Sequence, residues 1–126
     1  MEADPLFKQE GYDLMGAAFE VYKEKGPGFL EDVYQECTER ELAARKIPFQ
    51  AKPWLQISYK GALLRQGYEP DFIVADGILT ELKAVKQLSP EHEAQLLNYL
   101  RATGKKVGYL INFGTHPQLE WKRMVL

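Results

Sequence analysis

Between Tyr68 and Lys83 the chain reads YEPDFIVADGILTELK, and two of its carboxylates, Asp71 and Glu81, stand with Lys83 at spacings suited to a divalent-metal site. Glu81 and Lys83 are two residues apart, so in a strand both project from one face, while Leu82 between them turns the other way into apolar packing. Carboxylate oxygens hold hard cations such as Mg²⁺ or Mn²⁺. A lysine beside them can orient or deprotonate a water that attacks a phosphodiester.

Asp71 joins Glu81 only if the intervening turn sets the right register. Asp76-Gly77 invites a two-residue hairpin, but that would place Phe72 opposite Glu81 and Leu82 opposite Asp71, sending the two acids to opposite faces. A three-residue loop, Ala75-Asp76-Gly77 with Gly77 in the left-handed region, instead pairs Ile73 with Leu79 and Asp71 with Glu81. The site requires this longer loop or an equivalent bulge.

The elements that must position these residues follow from periodicity. A helix is expected from about Gln9 to Lys25, with Met15, Ala18, Phe19 and Tyr22 on one face, and Gly26-Pro27-Gly28 stops it. A second helix is expected from Phe29 to about Lys46, with Leu30, Val33, Tyr34 and Cys37 as its apolar stripe. The period then changes. Strands are expected at Trp54–Tyr59, Leu63–Tyr68, Asp71–Ala75 and Ile78–Val85, with a turn at Lys60-Gly61. Ser89 caps a helix that has Pro90 at its first position and ends at Gly104. Lys106–Asn112 is a further strand, and Trp121–Val125 forms another short one. The order ααββββαβ describes an α+β, or mixed α/β, domain.

Composition bounds the rest. The chain has 126 residues and is 45% hydrophobic, which suits one globular domain with one core. Met1-Glu-Ala-Asp-Pro5 carries acids where a signal peptide carries bases, and no apolar run approaches a membrane span, so a soluble, cytoplasmic protein with no membrane partner is expected. Cys37 is the only cysteine, which excludes an internal disulfide and any cysteine-based zinc site. The net charge of −2 is unevenly spread: residues 1–82 hold 9 Lys and Arg against 15 Asp and Glu, and residues 83–126 hold 7 against 3. The basic C-terminal third leaves a nucleic-acid partner open. No Gly-x-Ser-x-Gly, P-loop, Gly-x-Gly-x-x-Gly or Cys-x-x-Cys is present, so acyl transfer, nucleotide binding and redox work have no motif.

Pro70-Asp71 followed by Glu81-Leu82-Lys83 resembles the PD-(D/E)XK nuclease superfamily. Gly28-Phe-Leu-Glu31-Asp-Val-Tyr34 resembles the signature of its small GxxExxY proteins. Similar stretches follow at Glu81–Val85, His92–Leu100 and Leu110–Gly114, so the likeness runs from about Gly11 to Leu126. It implies an αβββαβ core with a central mixed sheet flanked by helices. It also implies a Mg²⁺- or Mn²⁺-dependent nuclease acting on DNA, with RNA as the alternative substrate.

By that resemblance Asp71, Glu81 and the backbone carbonyl of Leu82 would ligate the metal, and Lys83 would position the nucleophilic water. Glu31 matches the helix carboxylate that often completes such a site. An acid in a first helical turn is equally explained by the helix dipole. Gly28 and Tyr34 are expected to serve the fold. His92, Gln95 and Tyr99 line one helix face, and a Gln-xxx-Tyr pair supports the site or contacts nucleic acid in some exonuclease-like branches. Tyr99 could equally border the core, and His92 is expected as a surface or capping residue. A homodimer suits a domain this small acting on a duplex, but no residue shows it. The competing reading is a non-catalytic member that binds nucleic acid or a protein partner.

Overall fold

The computed structural model describes residues 6–126, and the expectation drawn from Met1–Pro5 lies outside them. Helix α1 spans Lys8–Lys25 and α2 spans Glu31–Ala44. Strands β1 (Phe49–Ala51), β2 (Leu55–Tyr59), β3 (Ala62–Tyr68), β4 (Phe72–Val74) and β5 (Ile78–Lys83) follow, then α3 (Pro90–Thr103), β6 (Val107–Asn112) and β7 (Glu120–Val125). Five strands form one mixed sheet in the order β1-β4-β5-β6-β7, and β2 and β3 form a separate antiparallel hairpin. The β5–β6 pair is parallel, joined by α3, and the other neighbours are antiparallel. This is the expected mixed α/β architecture. Among the described residues no helix is long and apolar enough to cross a membrane.

Alternation along the strands divides the packing between the two faces of the sheet. Phe72, Val74, Ile78, Leu82 and Ile111 pack with Leu14, Val21, Tyr34 and Leu42 of α1 and α2. Ile73, Leu79 and Leu110 pack with Leu96 and Leu100 of α3 and with Tyr68, joined at the margin by Leu55 and Ile57 of the hairpin. Strand β1 escapes periodicity because three residues are too few to show alternation.

The helical faces differ in detail from expectation. On α1 the buried stripe is Leu14, Ala17, Ala18 and Val21 with Met15, while Phe19 is 46% exposed. Small residues win the sheet-facing positions because α1 lies close to the strands: a Cβ at Gly11 would stand 2.1 Å from the Tyr109 hydroxyl. On α2, Leu30 is the exposed N-cap residue, and Gln35, Thr38 and Leu42 join Tyr34 in the buried stripe.

Tyr34 explains the Gly28–Glu31–Tyr34 spacing. Its ring is fully buried and stacks on Phe113 with centroids 4.6 Å apart. Its hydroxyl donates to the Gly26 carbonyl at 2.5 Å and accepts from the Phe29 amide at 3.2 Å. The loop it pins needs glycine, since Gly28 sits at φ 112°. Glu31 is thereby fixed at the start of α2.

The β4–β5 turn takes the longer loop. Phe72 pairs with Thr80, Ile73 with Leu79 and Val74 with Ile78, leaving Ala75, Asp76 and Gly77 between the strands. The left-handed residues, however, are Ala75 (φ 53°) and Asp76 (φ 59°), not Gly77. Gly77 is needed for space, because a Cβ there would lie 1.9 Å from the Phe7 ring. At α3 the start and stop signals hold. Ser89 accepts from the His92 amide, His92 Nδ1 accepts from the Ser89 amide, and Gly104 closes the helix at φ 76°.

Candidate active site

The register places Asp71 directly before β4, opposite Glu81 on β5. Each acid is held by an amide of the opposite segment: the Asp71 amide donates to Glu81 Oε1 at 3.3 Å, and the Leu82 amide, next to Glu81, donates to Asp71 Oδ2 at 2.7 Å. Glu81 Oε1 also accepts the Tyr68 hydroxyl at 2.6 Å. Among the described residues, no protein donor reaches Oδ1 of Asp71 or Oε2 of Glu81. Each acid therefore keeps one uncommitted oxygen.

Leu82 supplies a third oxygen by strand geometry. Its side chain is buried against the α1–α2 face and its amide points at Asp71, so its carbonyl lies on the same edge. Extending the register by two residues puts Pro70 opposite Leu82. Proline has no N–H to give, so the ladder bond that would occupy the Leu82 carbonyl cannot form. The Lys83 carbonyl faces the other way and accepts from the Phe113 amide at 2.8 Å.

Electrostatics mark the pair. Burial, then the nearby Asp71 charge, push the Glu81 carboxyl up to about 7, against the lowering effects of the Tyr68 hydrogen bond and Lys83. Asp71 is also raised, by burial and secondarily by the charge of Glu31, and is opposed by the Leu82 amide, Lys52 and Lys83. The Tyr68 phenol is raised by burial and then by Glu81. The two acids therefore sit where a negative charge is poorly compensated by the protein.

Of the residues expected at the site, the structure brings together Asp71, Glu81, Leu82 and Lys83. Lys83 is half-buried on the Glu81 face, and its ammonium forms no hydrogen bond or ion pair among the described residues. Glu31 is exposed in the first turn of α2 and acts on Asp71 through its charge. Among the described residues no three His, Cys, Asp or Glu side chains are grouped closely enough to hold a metal ion. Tyr99 joins the site indirectly, stacked on Tyr68 with centroids 3.6 Å apart and planes 4° from parallel. Gln95 is exposed one turn earlier on α3, its side chain makes no hydrogen bond among the described residues, and His92 is occupied in the helix cap.

Three residues went unassigned in the sequence. Tyr68 orients Glu81; its position three before Asp71 gave no sign of this, because the bond crosses from the hairpin to β5. Gln35 is buried, and its amide nitrogen donates to the Asp71 carbonyl at 3.1 Å and to Glu39 at 3.1 Å. A polar residue one position after Tyr34 on the inner side of α2 was the available signal. Lys52, at φ 50°, donates its amide to the same Asp71 carbonyl at 3.0 Å and lies near enough to favour the Asp71 charge.

The donor set suits a hard divalent cation. It offers two single carboxylate oxygens and a carbonyl on one edge, and the burial and repulsion that raise both acids are what a cation would relieve.

The sequence profile described as the PD-(D/E)XK nuclease superfamily matches residues 8–124. Among solved structures, the protein SSO0001 is similar with a TM-score of 0.60 at 17% identity, over 94% of this chain and 59% of that one. The alkaline exonuclease LHK-Exo from Laribacter hongkongensis is similar with a TM-score of 0.54 at 13% identity, over 98% of this chain and 72% of that one. The chain thus spans less than two thirds of the length of SSO0001. No curated protein matches the sequence.

Proposed function

The chain belongs to the PD-(D/E)XK nuclease superfamily, and from that premise we propose that it is a divalent-metal-dependent nuclease of the small GxxExxY branch, hydrolysing phosphodiester bonds in DNA, with RNA as the alternative substrate. The observation that carries the reading is the interlocked pair: Asp71 and Glu81 share one sheet face, each with one oxygen uncommitted, and Lys83 stands beside them without a partner.

In this reading Asp71 Oδ1, Glu81 Oε2 and the Leu82 carbonyl hold Mg²⁺ or Mn²⁺, and Glu31 contributes directly or through a water. When bound there, such an ion would supply Lewis-acid chemistry toward the phosphate and the attacking water. Lys83 orients the attacking water and offsets charge that develops on the phosphate oxygens. Tyr68 holds the Glu81 carboxylate in place and Tyr99 holds Tyr68. Gln95, exposed on the same side of α3, is placed to contact substrate.

The competing reading, a non-catalytic member that binds nucleic acid or a protein, draws on one observation: Glu31 is not grouped with the other two acids. A nuclease assay with Mg²⁺ or Mn²⁺ on a panel of DNA and RNA substrates decides between them. Metal-dependent cleavage by wild type that is lost in Lys83→Ala is expected. A folded, metal-loaded wild type that cuts nothing on the panel overturns the nuclease reading and leaves the fold.

A further inference from the structure

Residues 42–68 contain no Asp or Glu, yet hold Arg45, Lys46, Lys52, Lys60 and Arg65, in a chain whose net charge is −2. The last three belong to the β2–β3 hairpin or its stem, and none of them forms an ion pair among the described residues. The same hairpin exposes Trp54 (58%), Tyr59 (63%), Leu63 (64%) and Leu64 (42%). Positive charge without compensating acid, interleaved with open aromatic faces, is the pattern of a surface that binds single-stranded nucleic acid.

The geometry ties this surface to the carboxylates. The hairpin's Tyr68 end donates to Glu81 Oε1, and Lys52, two residues before Trp54, sits at Asp71. Trp54 lies against Gly67, next to Tyr68: a Cβ on Gly67 would come within 2.7 Å of the Trp54 ring. Glycine therefore lets a half-exposed indole lie against the hairpin immediately beside the site. Further out, Lys60 Nζ stands 5.5 Å from the centre of the Tyr59 ring. Among the described residues neither hairpin strand pairs with a strand of the central sheet, so its outer surface is free of neighbouring strands.

The groove between α1 and β7, which also exposes aromatics, lacks this character. Its Arg45 is paired with Glu41 and its Arg123 donates to the Leu6 carbonyl, so its guanidinium groups are already engaged.

We infer that the β2–β3 hairpin is the arm that holds a single strand of nucleic acid at the site, with an unpaired base stacked on Trp54 and phosphates met by Lys60 and Arg65. This rests on the nuclease reading for what happens next, but the binding itself does not need catalysis.

The test is equilibrium binding of a labelled single-stranded oligodeoxythymidine in EDTA, with the matching duplex and an oligouridine as comparison arms. Trp54→Ala is expected to weaken single-strand binding roughly ten- to a hundredfold, the scale of losing one base–aromatic stack. Lys60→Ala with Arg65→Ala is expected to lower the slope of log affinity against log salt by about 1.4, two phosphate contacts on a single strand. Trp121→Phe leaves Trp54 as the only tryptophan, and its fluorescence is expected to be quenched by the oligonucleotide.

Unchanged affinity in Trp54→Ala, together with an unchanged salt slope in the double variant, overturns the inference, as does tighter binding of duplex with no quenching. If the hairpin variants instead abolish a concentration-dependent dimer seen by sedimentation while oligonucleotide affinity stays at the wild-type value, the surface is a self-association face and the inference fails. Arg65→Glu gives a second variant should Trp54→Ala melt early. Cleavage separates the two readings: wild type that cuts while its hairpin variants bind normally sinks only the arm, and strand binding through the hairpin without any cleavage sinks only the nuclease.

Discussion

The Tyr68 hydroxyl donates a 2.6 Å hydrogen bond to Oε1 of Glu81, joining the end of the hairpin to the strand that carries Glu81 and Lys83. The bond leaves Glu81 a single free oxygen, as the Leu82 amide does for Asp71. On the proposed nuclease reading, ions that accept single-oxygen carboxylate ligands in octahedral geometry would suit the pair better than Ca²⁺, which often takes both oxygens of a carboxylate.

Tyr68→Phe removes the hydroxyl and keeps the ring stacked on Tyr99. A hydrogen bond to a charged acceptor is worth about 1.5–3 kcal/mol, so Mg²⁺ affinity is expected to fall while Ca²⁺ affinity holds or rises as Oε1 keeps only the longer bond from the Asp71 amide. Calorimetric titration of both ions into wild type and variant checks this. Parallel losses for the two ions would assign Tyr68 a merely structural part.

Lys83→Ala should leave metal affinity largely intact while cleavage falls by roughly two or more orders of magnitude, the scale of losing a charge-stabilising or proton-transfer group. Glu81→Ala should lose both. Gln95→Ala should cost less, through a higher KM with the metal response preserved. Paired binding and single-turnover measurements distinguish the three.

Binding to the native state stabilises it by about 2.7 kcal/mol at a hundredfold excess of ligand over Kd. Mn²⁺ or Mg²⁺ should therefore raise the melting temperature of wild type, and Asp71→Asn should blunt that shift. An equal shift in the variant would place the ions elsewhere.

Without metal, the raised Glu81 pKa makes stability depend on pH. The folded protein holds the Glu81 proton from the ordinary value of 4.5 up to about 7, whereas the unfolded chain releases it near 4.5. The native state therefore binds more protons across that window, and the Glu81 contribution falls as pH rises from 4.5 to 7, then levels off. The loss is on the order of 3 kcal/mol. Glu81→Gln should flatten this part of the profile in EDTA, and denaturant melts at pH 5 and pH 8 measure it. A slope unchanged by the substitution would contradict the assignment.

Gly114→Ala should destabilise the fold by about 3 kcal/mol. A Cβ there would lie 2.3 Å from the Val85 carbonyl oxygen and 2.5 Å from its amide nitrogen, backbone atoms that cannot swing aside. Asn112 fixes the same junction, accepting from the Val85 and Gly114 amides and donating to the Val85 carbonyl. A variant melting within error of wild type would show that the junction yields.

The sequence by itself determined that Glu81 and Lys83 share a face, because the two-residue period of Glu81-Leu82-Lys83 is local strand geometry. It named the longer loop as the one the site requires, but Asp76-Gly77 also invited a shorter turn, and the pairing of Ile73 with Leu79 in the folded sheet is what sets Asp71 on the same face. Ser89, Pro90 and Gly104 likewise marked α3, since caps act within one turn. Tertiary structure decided what crosses between elements. Tyr68 meets Glu81 through a hairpin that stands apart from the sheet, Gln35 reaches the Asp71 carbonyl from α2, and Phe19 yields the inner face of α1 to Ala17 and Ala18 because the helix lies so near the strands. Gly77 was correctly singled out for the turn but for the wrong reason: its need is set by the Phe7 ring from the far end of the chain, while Ala75 and Asp76 take the left-handed conformation. Long-range contact leaves no period in a single sequence, and so these residues became legible only once the strands and helices were in place.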